Sequence, residues 1–303
     1  MNMEYDLIVV GEGVAGLTCA AQAASLGLKV ASFEAEFFGG LVVNVNELQD
    51  FDKAAGLSGM DHAAILAKSN AKAGVKSTHA AVNSIRRTPD GFEVQTDEGT
   101  RTARAVVIAS GARLKKLGVP GEDDFDGRGV SHCADCDAPL FTDTAVVVAG
   151  GNDWAIHEAT VLAADAAKVY LVHEGAELSA RAESIEHAKA DSKIELVPQA
   201  TVTQIVGNDQ GVTGVRVRMA DGATREIACA GVFPFVGLEP NSGVAPAKVE
   251  RDAHGYLRVG PALETNVPGL WAIGNVRAGF GGWLSDAAAD ARRAAAAVKA
   301  RVA

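Results

Sequence analysis

A chain of 303 residues, 48% of them hydrophobic, has room for two domains of ordinary size with a core in each. A formal net charge of -10 argues against nucleic acid or an anionic membrane as partner and favours a locally basic protein surface. The N-terminus has no basic segment followed by a long apolar run, and no stretch of about 18 apolar residues occurs anywhere, which points away from export and membrane insertion and toward the cytoplasm.

Residues 5 to 10 alternate poorly but are richly β-branched, which predicts a strand. Gly11-Glu12-Gly13-Val14-Ala15-Gly16 follows and opens an Ala-rich helical stretch to about Gly27. A second strand, Lys29 to Phe33, ends in Glu34. Strand, glycine turn, helix, strand and acid in this order form the dinucleotide-binding fingerprint. Its first glycine makes the turn, the second admits a pyrophosphate to bare backbone, the third lets helix and strand approach, and the acid takes ribose hydroxyls. Between 75 and 104, short β-like runs alternate with turn signals such as Thr88-Pro89-Asp90-Gly91, predicting an antiparallel excursion. Val106 to Ala109 then returns as a buried strand ending at Ser110-Gly111-Ala112, and Leu117 to Gly121 reads as a linker.

Next comes Ser131-His132-Cys133-Ala134-Asp135-Cys136-Asp137. Two cysteines three positions apart can close a short disulfide that is readily opened and remade when one thiol has a lowered pKa. The other reading is half of a structural zinc site, which needs a second ligand pair. Cys19 and Cys229 stand alone, with no Cys or His at ligand spacing, so the redox reading leads and no metal site is assigned. Four cysteines in so long a chain do not make a disulfide framework, which places the pair in a reducing compartment with a catalytic or sensing task.

Beyond the cysteines, Ala145 to Ala149 runs into Gly150-Gly151-Asn152-Asp153-Trp154-Ala155 and an Ala-rich helix, and Lys168 to Val172 gives another strand. This repeats the first pattern and predicts a second βαβ unit. From about Leu238 the chain returns to the first domain, with a strand at Leu270 to Ile273 and a closing helix from Leu284 to Ala300 capped by Ser285 or Asp286. The expected fold is α/β, with two Rossmann-like three-layer nucleotide-binding domains: 1–112 with 238–303, and an inserted 113–237.

These residues, with Gly39-Gly40, Ala109-Ser110-Gly111-Ala112, Phe235-Val236-Gly237-Leu238-Glu239-Pro240-Asn241 and Gly274-Asn275-Val276, give a chain that resembles the low-molecular-weight thioredoxin reductase family over nearly its full length. The resemblance implies FAD on the first domain, a redox disulfide in the second, a homodimer, and electron flow from a nicotinamide through flavin to the disulfide and on to a protein disulfide. It implies that Cys136 faces the flavin and makes the charge-transfer contact, that Cys133 attacks the substrate disulfide, and that Asp137 moves the proton of the departing thiolate. His132, just before the pair, either assists or is an ordinary loop histidine. For FAD, the resemblance places Gly11, Gly13 and Gly16 at the pyrophosphate and Glu34 at the adenosine ribose. Val82 falls at the adenine, Asp50 stands where an Asn near the flavin is usual, and Gly40, Gly111, Gly274 and Asn275 line the cofactor. The closing helix would aim its positive end at the flavin.

The pattern also breaks. In the second fingerprint Asn152 stands where the pyrophosphate requires glycine, and Trp154 replaces a small residue, either obstructing a dinucleotide or packing in the core. Glu174-Gly175 stands where two arginines would hold the 2′-phosphate of NADPH; a carboxylate repels phosphate but can take the ribose diol of NADH. Asn275 replaces an Asp that binds the ribityl chain, and Gly281-Gly282 replaces an Arg-Gln pair at the flavin. The expectation is an FAD-dependent thiol-disulfide oxidoreductase working through Cys133/Cys136 on a thioredoxin-like protein or a small disulfide. Its donor would be NADH or a protein such as ferredoxin rather than NADPH. The alternatives are an FAD-dependent dithiol oxidase that uses oxygen, and a flavin-bound redox sensor or docking protein with little turnover.

Overall fold

A computed structural model describes residues 3–46, 48 and 56–302. The chain divides into two compact units, Met1–Arg113 with Glu239–Ala303, and Leu114–Leu238.

The first unit begins with β1 (Tyr5–Val10), α1 (Val14–Ser25), β2 (Val30–Glu34), α2 (Gly59–Lys72), β3 (Lys76–His79), β4 (Val82–Arg87), β5 (Phe92–Thr96) and β6 (Gly99–Ile108). In the sheet the order is β3-β2-β1-β6-β5-β4, parallel from β3 to β6 and antiparallel beyond. β1 alternates poorly because both its faces are covered, as in most parallel strands. Leu7 and Val9 face the cluster that holds α1 and the closing helix, while Ile8 and Val10 face Phe33, Ile85, Phe92 and Val94. The excursion and the returning strand turn out to be one element: β6 pairs antiparallel with β5 through Gly99–Ala103 and parallel with β1 through Ala103–Ile108. The single strand passes from half-exposed to fully buried along its length, so its two halves carry different sequence patterns.

β7 (Ala112–Leu114) leads into the second unit and pairs with β15 (Leu238–Pro240), which leads out of it. Leu117 to Gly121 is not the linker. The backbone amides of Leu117 and Gly118 donate to the buried carboxylate of Glu122 at 2.9 and 2.7 Å, so this Gly/Pro-rich stretch is tied down within the unit. There follow α3 (Ala134–Asp137), β8 (Ala145–Ala149), α4 (Asp153–Asp165), β9 (Lys168–His173), α5 (Ala182–Ala190), β10 (Ile194–Pro198), β11 (Ala200–Asn208), β12 (Gly211–Met219), β13 (Thr224–Ala228) and β14 (Gly231–Pro234). β10-β9-β8-β14 form a parallel sheet and β11-β12-β13 an antiparallel one. β8 repeats the logic of β1: Val146 and Val148 face α4, and Val147 and Ala149 face the antiparallel sheet.

Back in the first unit, β16 (Leu270–Ala272) pairs with β6 and α6 (Leu284–Val302) closes the chain. α1 and α6 present alanines to each other, Ala15, Ala20 and Ala23 against Ala287, Ala291, Ala294 and Ala295, and so share one core. Because α6 already begins at Leu284, Ser285 and Asp286 lie inside its first turn; a carboxylate oxygen of Asp286 accepts the amide of Trp283 at 3.4 Å.

Candidate active site

Three glycines with different surroundings shape the first fingerprint. Gly11 has φ +99°, and a Cβ on it would lie 2.4 Å from the Ala109 carbonyl oxygen; a Cβ on Gly16 would lie 2.0 Å from the Gly11 carbonyl oxygen. Both therefore serve the close approach of backbone to backbone. Gly13 is different, since a Cβ there would meet nothing nearer than the Gly39 carbonyl oxygen at 3.8 Å. The amide of Gly39 donates to the Glu12 carbonyl at 2.7 Å, which draws Gly39-Gly40 alongside Gly13. The result is a floor of bare backbone at the N-terminus of α1, a helix with no side-chain cap and no acid in its first turn. Uncapped amides and the helix dipole favour a pyrophosphate there.

Glu34 ends β2 beside this floor, its Oε2 accepting the Glu12 amide at 2.8 Å and its Oε1 the Glu36 amide at 3.1 Å. β3 places His79 opposite Glu34, and Val82 follows three positions later at the start of β4. Gly274 has φ +68°, donates its amide to Asp290 at 3.1 Å, and lies against Ala15 of α1. Asn275 is half-buried and its side chain makes no hydrogen bond among the described residues. Gly111 is held by Asn241, whose amide donates to its carbonyl at 3.0 Å. Gly11, Gly13, Gly16, Glu34, Gly40 and Gly274 thus gather around one helix end, with Gly111 beyond β6 and Asn275 next to Gly274. Asp50 lies outside the described residues. A side-chain-free floor, an uncapped helix and a fixed carboxylate suit the pyrophosphate and ribose of FAD.

In the second unit Cys133 and Cys136 are joined as a disulfide across α3, with Cα atoms 5.3 Å apart. Cys133 is the N-cap, its Sγ accepting the Cys136 amide at 3.2 Å and its own amide donating to Ser131 Oγ at 3.2 Å. Cys136 is exposed, Cys133 and Asp137 half-buried. His132 Nε2 lies 3.9 Å from Asp126 Oδ1. Cys19 and Cys229 are buried in different units, and burial pushes both thiols up to about 12, so neither completes a ligand set with this pair. Among the described residues no three His, Cys, Asp or Glu side chains are grouped to hold a metal ion.

At the second fingerprint, Asn152 caps α4: its Oδ1 accepts the Ala155 amide at 2.9 Å and its Nδ2 donates to the Phe235 carbonyl at 3.3 Å. Asp153 adds a carboxylate to the first turn. Burial alone would raise its pKa, but hydrogen bonds from Ser184 and Arg181 outweigh that and hold it below the usual range. The amide that α1 leaves open is closed here, and the first-turn carboxylate is ion-paired with Arg181 at 3.2 Å. Trp154 packs against Phe235, ring centroids 5.5 Å apart, and donates its indole N–H to Glu158, which is core packing. Glu174 is exposed just past β9 and borders a cleft of about 310 Å³ lined also by Gln199, Thr201, Arg218 and Met219. Glu158 escapes a reading by motif: it is an acid inside an Ala-rich helix, and the one available signal is its spacing of four from Trp154.

Residues 5–300 match the family model described as pyridine nucleotide-disulphide oxidoreductase. The chain belongs to this family. A thioredoxin reductase of Treponema pallidum is 34% identical over 279 residues, covering 92% of this chain and 91% of the relative. One of Listeria monocytogenes is 35% identical over 278 residues, covering 90% and 86%. Among solved structures, thioredoxin reductase of Lactococcus lactis superposes with a TM-score of 0.94 at 28% identity over 99% of each chain, and that of T. acidophilum with 0.91 at 30% identity over 98% of each. The protein is accordingly an FAD-dependent disulfide oxidoreductase of the low-molecular-weight thioredoxin reductase type, built on two Rossmann-like units.

Proposed function

We propose that the Cys133/Cys136 pair carries two electrons between FAD held by the first unit and an external disulfide, on a thioredoxin-like protein or a small molecule, and that the donor is NADH or a protein rather than NADPH. The observation that supports the donor reading is the contrast between two helix ends: α1 offers open amides at Gly13, whereas α4 is closed by the side chain of Asn152. Glu174 adds a repulsive charge where a 2′-phosphate would be held. When bound, FAD supplies reversible two-electron transfer between donor and disulfide. The pair takes up two electrons and two protons to become a dithiol. The Cys133 thiolate attacks one sulfur of the substrate disulfide and releases a thiolate. Cys136 then attacks Cys133 Sγ, re-forming the internal disulfide and releasing the second thiolate, with Asp137 giving the proton that a leaving sulfur needs. Gly11, Gly13, Gly16, Gly40, Gly111, Val82 and Gly274 line the cofactor, Glu34 takes the adenosine ribose, and Asn275 supplies an amide to the ribityl chain. A homodimer working in the cytoplasm completes the reading.

Stopped-flow flavin reduction tests it. NADPH should reduce the enzyme at least about a hundredfold less efficiently than NADH, about 2.7 kcal/mol of differential binding. Asn152→Gly should improve NADH use, and Glu174→Arg with Gly175→Arg should begin to admit NADPH. Fast reduction by micromolar NADPH would overturn the donor reading, and Arg218→Ala would then show whether the neighbouring arginine is responsible. Reduction by dithiols alone, with peroxide formed in air, would favour the dithiol oxidase, for which the closed end of α4 is equally suited.

A further inference from the structure

Glu158 is 6% exposed and sits on the face of α4 turned to the apolar cluster of Ala134, Ala138, Ala155, Ile156 and Ala159. A carboxylate there is costly unless its oxygens find donors. Both do: Oε2 accepts the amide of Ala134 at 2.8 Å, and Oε1 accepts the indole N–H of Trp154 at 3.0 Å. Ala134 lies between the two cysteines and is itself buried, so this bond ties the redox helix α3 to α4 at its first amide. Burial outweighs the two hydrogen bonds and leaves the pKa of Glu158 above the usual carboxylate range, while the two N–H donors aimed at its oxygens are ones that only the ionised form satisfies in full. His157 on α4 lowers, and Asp135 on α3 raises, the same group, while Asp137 on α3 and His132 before it flank the cysteines.

Packing alone does not call for a charge at this position. The charge matters when the disulfide opens, because a thiolate at Cys133 must then form near a carboxylate bonded to the next residue. Like charges disfavour that thiolate, and stabilising a reduced form raises a dithiol's potential, so a carboxylate here acts in the opposite direction. We infer that Glu158 is a positioning residue of the redox pair, holding the first amide of α3 and keeping the Cys133–Cys136 disulfide hard to reduce and its dithiol strongly reducing. The inference rests on Cys133/Cys136 being the working pair.

The test is equilibration of the FAD-loaded enzyme with glutathione buffers, quenching by alkylation, and mass measurement of the peptide that carries both cysteines. Glu158→Gln keeps an acceptor for Ala134 and removes the charge. It should shift the equilibrium about tenfold toward dithiol, about 30 mV, and raise the rate of Cys133 alkylation near neutral pH several-fold. Trp154→Phe keeps the charge and removes one donor, and should leave the equilibrium within about twofold of wild type. Trp154→Phe/Glu158→Gln, which also avoids opposing the glutamine N–H to the indole N–H, should reproduce the shift and serves if the single variant does not fold. A folded variant without the charge but with the wild-type equilibrium overturns the inference, as does an equal shift in Trp154→Phe. A wild-type disulfide that neither glutathione nor excess dithiothreitol opens in the folded protein overturns the redox reading itself, and the inference with it.

Discussion

Gly13 and Gly16 stand three residues apart in one turn, yet a methyl group added to each meets opposite surroundings. At Gly16 it would strike the Gly11 carbonyl oxygen at 2.0 Å, with backbone that cannot yield, whereas at Gly13 it would meet nothing nearer than the Gly39 carbonyl oxygen, at an ordinary contact distance of 3.8 Å. Gly16→Ala should therefore destabilise the protein by about 1–3 kcal/mol, read by urea unfolding. Gly13→Ala should fold with near-wild-type stability in the apo form and lose FAD, read by the absorbance of purified protein. Equal loss of stability in both would remove the distinction between a packing glycine and a ligand-facing one. The cysteines separate in the same way. After mild reduction of the native protein, iodoacetamide should label Cys133 and Cys136 and spare Cys19 and Cys229, whose burial holds the thiols protonated. All four should react in denaturant. Labelling of Cys19 or Cys229 at a rate near that of the pair would show that the two cores open readily.

At the scale of elements, α6 is fastened to the loop ahead of it by a buried ion pair. Arg277 Nε and Nη2 meet Asp290 at 2.6 and 2.9 Å, and Asp290 also accepts the Gly274 amide. Arg277→Met would leave that carboxylate buried with one neutral donor, a change that costs about 3–5 kcal/mol. The urea midpoint of the FAD-loaded protein should fall accordingly, and FAD should be released earlier, because Gly274 lies against α1. A change below about 1 kcal/mol would mean the pair is a bystander. The elements legible in the sequence were those whose pattern is set by one environment: β1 and β8 as short runs covered on both sides, α1 and α4 as Ala-rich stretches after glycine turns. β6 looks like two pieces in the sequence because its environment changes midway, from one exposed face to none. The tied loop at Leu117 to Gly121 has the composition of a linker because its anchor, Glu122, is a charge whose amide partners only the fold supplies. Glu158 carries no signal in the sequence for a similar reason, since its partner Ala134 is distant along the chain and offers only a backbone amide.

For the whole molecule, each unit has its own apolar clusters, and the chain crosses between them twice. A ligand that binds only the folded first unit stabilises that unit by mass action, about 2.7 kcal/mol at a free concentration one hundred times its Kd. The second unit gains nothing from it unless the two unfold together. Tryptophans are placed to tell these cases apart: Trp154 lies in the second unit, Trp271 and Trp283 in the first. Trp271→Phe breaks no hydrogen bond among the described residues, because the buried indole nitrogen has no partner there, and its cost is the volume removed from the core of the first unit. In a Trp271→Phe/Trp283→Phe protein, Trp154 fluorescence should report a urea midpoint that stays fixed when FAD is stripped, while the wild-type signal from the first unit moves to lower urea. A Trp154 midpoint that follows FAD content would show that unfolding is shared across both crossings, so that cofactor binding at Gly13 stabilises the unit that carries the cysteines as well.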